Sequence, residues 1–173
     1  MWKVADSTLE DHERWQLTEY TLKPYPDMIG VEHLDKLPIH KKVFDQVSNY
    51  YDLSTCRFVE QWHNAAHNSF YPHEHLDKDE GLWDAERKIS LPLCSAILYL
   101  SIKRLKGANL EVSKDNHPLT AISPEFKDID VITPKEGKIV LLDPGVWHRV
   151  SDYESGFRVA MILNFWDKPL YSS

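Results

Sequence analysis

Cysteine is scarce in this chain: Cys56 and Cys94 are the two cysteines among its 173 residues. They form neither a CxxC pair nor part of a framework of closely spaced cysteines, so the sequence predicts two free thiols that act as small buried hydrophobic side chains. The first residues of the chain also lack the apolar stretch of a secretory signal. Free thiols without a visible signal are typical of a reducing compartment, and we expect a cytoplasmic protein.

Long hydrophobic runs and an excess of positive charge are also absent. The longest apolar stretch, residues 91–100, is interrupted by Pro92 and Ser95 and is too short to cross a bilayer, so it predicts a buried strand and no membrane association. The chain carries 27 acidic against 20 basic residues, a formal net charge of −7. Binding to nucleic acid needs clustered Lys and Arg and is therefore disfavoured. We interpret the short basic run at 103–106 as a solvated loop.

What the sequence does contain indicates one domain, residues 1–173, in two parts. Its length and a hydrophobic content of 42% are sufficient for a buried core. A helix is predicted by apolar residues that recur at helical spacing after Pro38, namely Ile39, Val43, Phe44 and Val47. We expect residues 1–56 to be a helix-bearing N-terminal support, packed against a sheet, and residues 57–167 to form a strand-rich core.

From residue 57 onward, apolar residues alternate with period two. Segments of this kind, separated by Gly, Pro, Asn and Asp at turns, are residues 57–63, 92–101, 109–113, 128–133, 138–143, 146–151 and 157–166. Many short strands at this spacing are typical of a sandwich or a barrel. The predicted fold class is mainly β with N-terminal helices, and the preferred architecture is a double-stranded β-helix, or jelly roll.

Three residues form a candidate metal site. His75 and Asp77 are two residues apart, so on an extended segment their side chains leave the same face. His148 follows the turn signal Pro144-Gly145 and opens a predicted strand, which places it at the rim of a barrel. Two imidazoles and one carboxylate are the ligand set of the facial triad, which leaves coordination positions open on a non-haem ferrous iron.

Arg158 lies on a predicted strand among apolar neighbours. A charge in such a place is unfavourable unless it is paired. An ion pair with one of the acidic residues would satisfy it, and a ligand carboxylate held by the guanidinium fork is the functional alternative. The position of Arg158 shortly after His148 favours the ligand.

Around these residues the chain resembles the iron(II)- and 2-oxoglutarate-dependent dioxygenases, especially their prolyl-hydroxylase-like branch. The resemblance covers about residues 57–167 and is carried by Pro72-His73-Glu74-His75-Leu76-Asp77, residues 95–101, 106–110 and 132–142, Trp147-His148-Arg149-Val150 and Gly156-Phe157-Arg158-Val159. It implies that His75, Asp77 and His148 are catalytic and bind iron(II). It also implies that Arg158 binds the distal carboxylate of 2-oxoglutarate with help from Tyr99.

The chain departs from the branch at two places. Ala160 stands where some relatives have a serine, and Gly107-Ala108 stands where the branch often has two glycines. Neither departure affects the iron ligands that the resemblance implies.

The resemblance implies a reaction as well. Iron(II), 2-oxoglutarate and O2 would hydroxylate an unactivated C–H bond, with release of succinate and carbon dioxide. The compact length favours a small-molecule or amino-acid-type substrate. Residues near the first ligands are candidates for binding it: Trp62, Asn64, Tyr71 and His73. No oligomeric state is predicted.

Two alternatives stay open at this point. A cupin-type metal-dependent dioxygenase or isomerase would use a different metal set: His73, His75, Glu80 and His148. Two glycines of the cupin pattern are replaced here by His67 and Arg87. A jelly-roll binding module without enzymatic activity would contain these histidines incidentally. We interpret residues 79–84 as a solvated acidic loop.

Overall fold

The computed structural model describes residues 1–19, 27–66 and 73–171. Its strands are β1 (Trp2–Asp6), β2 (Asp27–Gly30), β3 (Phe58–Ala66), β4 (Cys94–Gly107), β5 (Leu110–Ser113), β6 (Ile129–Ile132), β7 (Lys138–Leu142), β8 (His148–Val150) and β9 (Tyr153–Trp166). Its helices are α1 (Asp11–Glu19), α2 (Pro38–Ser48) and α3 (Glu80–Glu86), with a 3-10 helix at Val31–Lys36. The fold is mostly β with few helices, as the period-two alternation predicts.

The strands form two antiparallel sheets. The larger has six strands in the order β1-β7-β4-β9-β3-β2, and the smaller has three in the order β6-β5-β8. β9 lies between β4 and β3, so that Ile162 is opposite Ile97 on one side and opposite Trp62 on the other. This register brings side chains from three strands onto one patch of the larger sheet.

The two sheets face each other across an apolar cluster. From the larger sheet it contains Ile97, Tyr99, Val140, Leu142 and Ala160, and from the smaller sheet Leu110, Val112 and Ile132. Fully burying one such aliphatic side chain contributes about 1.5–3 kcal/mol. The cluster therefore fixes the spacing between the sheets beside the candidate metal site.

The helix predicted after Pro38 covers the outer face of the larger sheet. In α2, Pro38 stands in the first turn, where its missing N–H has no intrahelical partner in any case. Val43 and Val47 are fully buried, and the rings of Phe44 and Phe165 have centroids 6.0 Å apart. The predicted helix thus packs against the sheet through its buried valines and Phe44.

Three features differ from the predictions. The N-terminal part also supplies two strands, since β1 pairs with β7 and β2 pairs with β3. The basic run at 103–106 is not a loop, because β4 continues along β9 with a bulge that leaves Lys103 and Arg104 exposed. The segment at 79–84 is not a solvated loop either: Asp79 is buried and caps α3 by accepting a hydrogen bond of 2.9 Å from the Leu82 N–H.

Both cysteines are buried and free, as expected from their spacing. Among the described residues, the helices are too short and too polar for any of them to span a membrane.

Candidate metal site and adjoining cavity

His75, Asp77 and His148 converge in the structure. One ligand atom from each, a ring nitrogen or a carboxylate oxygen, lies within 4.8 Å of the others. His148 is buried, whereas His75 and Asp77 are half-buried. Three such atoms at this spacing form a group that could hold one metal ion.

Backbone pairing holds the two histidines together. His148 opens β8, which pairs with β5, and on its other side it forms an isolated antiparallel bridge with His75. The His75 N–H donates to the His148 carbonyl at 3.0 Å, and the His148 N–H donates to the His75 carbonyl at 2.8 Å. The two rings are 4.3 Å apart at their centroids. The segment that carries the first two candidate ligands is thereby fastened to the strand that carries the third.

Hydrogen bonds also fix which ring nitrogens are available. Nδ1 of His75 lies 2.6 Å from the His73 carbonyl, and Nδ1 of His148 lies 3.0 Å from the Val146 carbonyl. A carbonyl only accepts, so each Nδ1 carries a proton and Nε2 is the ring nitrogen left for a metal. Burial lowers the pKa of His148 to about 4, and the neighbouring His75 acts in the same direction. His148 is therefore a neutral imidazole near pH 7, the form that binds metals.

The three residues line one wall of a cavity of about 120 Å³ between the sheets. This volume is well above the roughly 10–15 Å³ that one water molecule needs. The other lining residues are Trp62, Asn64, Ile97, Tyr99, Leu110, Val150, Arg158, Ala160 and Ile162. The lining is mostly apolar with a few polar groups, which is the composition of small-molecule sites in general.

Arg158 places a buried positive charge in this lining. Its side chain is 3% exposed. Nη2 donates to Oδ1 of Asn64 at 2.6 Å, and Nη1 donates to the Ala108 carbonyl at 3.4 Å. Nε has no hydrogen-bond partner among residues 1–19, 27–66 and 73–171. Both acceptors are neutral, and in the described ranges no carboxylate forms an ion pair with Arg158. The ion pair considered above is thus not observed there.

Tyr99 adds a second polar group close to this charge. Its ring centroid is 6.0 Å from Cζ of Arg158 and its side chain is buried. Among the described residues its hydroxyl makes no hydrogen bond of ordinary geometry, although it interacts with the Arg158 guanidinium. Burial raises the pKa of Tyr99 to about 12, although the nearby guanidinium opposes the shift. The phenol remains protonated near pH 7. The cavity lining therefore includes a hydroxyl and a guanidinium Nε that have no well-formed hydrogen bond within the described part of the chain.

The remaining candidates from the sequence fall in different places. Trp62 and Asn64 line the cavity, and Tyr71 lies outside the described residues. The side chain of His73 is exposed and lines a neighbouring groove with Glu74 and Arg149, so it does not line the cavity. Its carbonyl, which sequence reasoning did not consider, orients His75.

The metal set of the cupin alternative does not assemble. Glu80 is exposed at the start of α3, where it forms an ion pair of 2.8 Å with Lys78. His73 is outside the cavity as well, and the group that converges with His75 and His148 contains Asp77 instead.

The backbone of Ala108 was missed as a site element. Its carbonyl contacts Arg158, and the turn that presents it has positive φ at both Gly107 and Ala108. The Gly107-Ala108 pair was a signal for this turn, but the sequence does not reveal which strand the carbonyl would face.

No protein-family model matches the chain, and no curated protein matches it. Solved structures do match. A prolyl-4-hydroxylase from Pseudomonas putida matches with a TM-score of 0.63 at 17% identity, over 97% of this chain and 93% of that one. HygX from Streptomyces hygroscopicus matches with a TM-score of 0.64 at 16% identity, over 95% of this chain and 81% of that one.

The viral collagen prolyl hydroxylase vCPH from Paramecium Bursaria Chlorella virus-1 matches with a TM-score of 0.58 at 17% identity, over 95% of this chain and 88% of that one. Further structures of HygX contain iron, or nickel and 2-oxoglutarate. These similarities establish a shared fold. They confirm, at the level of the fold, the resemblance to the prolyl-hydroxylase-like branch.

Proposed function

We propose that this chain is an iron(II)- and 2-oxoglutarate-dependent oxygenase that hydroxylates an unactivated C–H bond of a small-molecule or amino-acid-type substrate, with release of succinate and carbon dioxide. One observation carries the proposal. A group of two histidines and one aspartate shares a small cavity with a buried arginine that has no carboxylate partner among the described residues. One end of the cavity lining thus suits a metal ion, and another part of it suits an anion.

The donor set fits iron(II). His75 and His148 would bind through Nε2 and Asp77 through a carboxylate oxygen, which leaves open positions for a co-substrate and O2. These are the same three iron ligands that the resemblance to the 2-oxoglutarate-dependent dioxygenases implies. When bound, iron and 2-oxoglutarate supply the oxidising chemistry, whereas the protein supplies binding, orientation and a dry site.

Another part of the same lining fits a carboxylate. Arg158 would hold one carboxylate of 2-oxoglutarate, with the nearby Tyr99 hydroxyl as a further donor. Apolar side chains between the sheets, among them Leu110 and Ile162, would enclose the methylene carbons and exclude water. The structures of HygX with iron, and with nickel and 2-oxoglutarate, support this proposal because they share the fold.

The hydrogen bonds of the two histidines have a further role in the proposal. Because each Nδ1–H donates to a backbone carbonyl, neither ring can turn its protonated edge toward the cavity without losing a hydrogen bond. The ring orientation that presents Nε2 of each histidine to a metal is therefore held before the metal binds. Trp62 would contact the substrate from the β3 side of the cavity.

We extend the proposal to the architecture. The two facing antiparallel sheets would be the halves of a double-stranded β-helix. Residues 57–167 would carry the catalytic core of one domain, residues 1–173, and residues 1–56 would support it.

Iron-dependent release of succinate tests this function. Purified protein with iron(II), ascorbate and 2-oxoglutarate should release succinate slowly even without a substrate, and Asp77→Ala should abolish this release. Glu80→Ala is the matched control, because it removes an exposed carboxylate two positions beyond Lys78 and three beyond Asp77. Succinate release that survives Asp77→Ala but not Glu80→Ala would support the cupin set. A wild-type protein that neither binds iron(II) nor releases succinate would support a binding module.

A further inference from the structure

We infer that Asn64 is a positioning residue for Arg158: its neutral amide holds the guanidinium in place and leaves the positive charge for an anionic co-substrate. The inference rests on the proposed function and deepens it. It assigns to Asn64 a role that differs from contact with the hydroxylated substrate.

The strand register places the two side chains on the same face. Asn64 on β3 is opposite Ala160 on β9, and Arg158 is two residues from Ala160 along β9. Diagonal neighbours of this kind are within reach of long side chains. Nη2 of Arg158 reaches Oδ1 of Asn64 at 2.6 Å, a short hydrogen bond with a charged donor.

The chemistry of the pair fixes the orientation of both partners. A guanidinium has donors and no acceptor, so the Asn64 oxygen must face Arg158 and the amide nitrogen must point away from it. The Ala108 carbonyl accepts a hydrogen bond from Nη1, which at 3.4 Å is weaker than the bond to Asn64. The two Nη atoms are thus held by neutral oxygens, and Nε has no partner in the part of the chain that the structure describes.

The neutrality of the partner at position 64 is what matters for binding. An aspartate there would also accept from Nη2, and it would form a buried ion pair that cancels the charge of Arg158. A buried guanidinium held only by neutral acceptors is unfavourable on its own, and an incoming carboxylate would remove that penalty. The Asn64 amide therefore orients the guanidinium without neutralising its positive charge, whereas a carboxylate at position 64 would do both.

Binding of 2-oxoglutarate to the manganese(II)-loaded protein tests the inference without turnover. We expect Asn64→Asp to weaken the Kd for 2-oxoglutarate by about 30-fold or more, because the internal carboxylate competes for a buried charge. The same variant should unfold at a temperature no lower than the wild type without ligand. Asn64→Ala, which leaves the charge but frees the fork, should weaken the Kd by about 3- to 10-fold.

Asn109→Asp is the matched control. It adds the same charge beside the Ala108 turn but in the neighbouring groove, outside the cavity. It should leave the Kd for 2-oxoglutarate within about twofold of the wild type, a change too small to count as a lost hydrogen bond. In iron-loaded protein, Asn64→Ala should raise the KM for 2-oxoglutarate in succinate release more than it lowers kcat.

The outcomes separate the two proposals. If wild type binds 2-oxoglutarate and Arg158→Ala does not, the anion site stands. A wild-type Kd in Asn64→Asp would then overturn the role of Asn64 alone. Equal loss of stability in Asn64→Asp and Asn64→Ala with an unchanged Kd would show that the amide is merely structural. Failure of the wild type itself to bind 2-oxoglutarate would overturn the proposed function.

Discussion

Arg158→Met tests whether the buried guanidinium is retained for a ligand. The substitution keeps an aliphatic stem and removes a charge that is 3% exposed. Removal of a desolvated ion relieves a penalty of several kcal/mol. Against this stands the loss of the 2.6 Å hydrogen bond to Asn64, worth about 1.5–3 kcal/mol for a charged donor. The ligand-free variant should therefore be as stable as the wild type or up to about 2 kcal/mol more stable.

With 2-oxoglutarate bound, the wild type should become more stable relative to Arg158→Met. At about 100 times its Kd, 2-oxoglutarate should stabilise the wild type by about 2.7 kcal/mol, which raises Tm by roughly 5–11 °C for a chain of this size. Loss of a buried charge partner costs about 2–5 kcal/mol of binding free energy. At the same ligand concentration, Arg158→Met should then gain less than about 1 kcal/mol.

Thermal unfolding of the manganese(II)-loaded proteins, with and without 2-oxoglutarate, measures both effects. Arg57→Met is the control, because Arg57 is exposed and its loss should leave the ligand-induced shift unchanged. The reasoning would be refuted by an Arg158→Met variant that 2-oxoglutarate stabilises as much as it stabilises the wild type.

Three other predictions follow from the packing. Burial lowers the pKa of His40 and of His63, so protons bind more readily to the unfolded chain. The free energy of unfolding should therefore fall as the pH drops below about 6.5, and it should fall less steeply in the double variant His40→Gln and His63→Gln. Urea unfolding of the metal-free proteins measures this, and an equal pH dependence in wild type and double variant would contradict it. Phe165→Ala should destabilise the protein by about 3–5 kcal/mol because Phe165 is fully buried. Trp15→Ala is the control: this side chain is 60% exposed, and its loss should change the free energy of unfolding by no more than about 0.5 kcal/mol. Comparable losses of stability in urea unfolding would show that the core is misassigned. Asp79→Ala removes the acceptor for both the Leu82 and Tyr171 N–H groups and should lower the free energy of unfolding by about 1–2 kcal/mol. Faster amide hydrogen exchange should be confined to α3 and the C-terminal segment. Protection of α3 equal to that in the wild type would exclude the capping role.

Much of the fold was accessible from the sequence because local patterns carry it. Period-two alternation predicts strands such as β7 and β9, and the apolar spacing after Pro38 predicts α2. The two N-terminal strands were missed because their identity depends on distant partners: Trp2 of β1 is opposite Leu142. Nothing in a five-residue segment specifies a pairing at that separation.

The candidate site was likewise predicted in part from local sequence patterns. The spacing of His75 and Asp77 and the turn before His148 predict a group that the structure brings together. His73 was a candidate for binding the substrate because it lies close to these ligands in sequence. In the described residues this segment forms an isolated bridge with β8 and no continuous strand, so strict alternation does not extend to residue 73.

The environment of Arg158 could not be predicted from the sequence. The alternation shows a charge on an apolar strand, but its acceptors come from Asn64 and Ala108 on other segments. Whether such an arginine has a carboxylate or a neutral partner is decided by which strands adjoin, and that is a property of the tertiary structure.

The measurement that tests the central claim most directly is an anaerobic titration of the protein with iron(II) and then 2-oxoglutarate, followed by visible absorption. If His75, Asp77 and His148 hold iron with positions open toward the cavity, 2-oxoglutarate should produce a metal-to-ligand charge-transfer band at one equivalent of each. His75→Ala and Asp77→Ala should abolish the band, and Arg158→Met should shift its appearance to higher 2-oxoglutarate concentration. Absence of the band in the wild type, or its persistence in Asp77→Ala, would contradict the account.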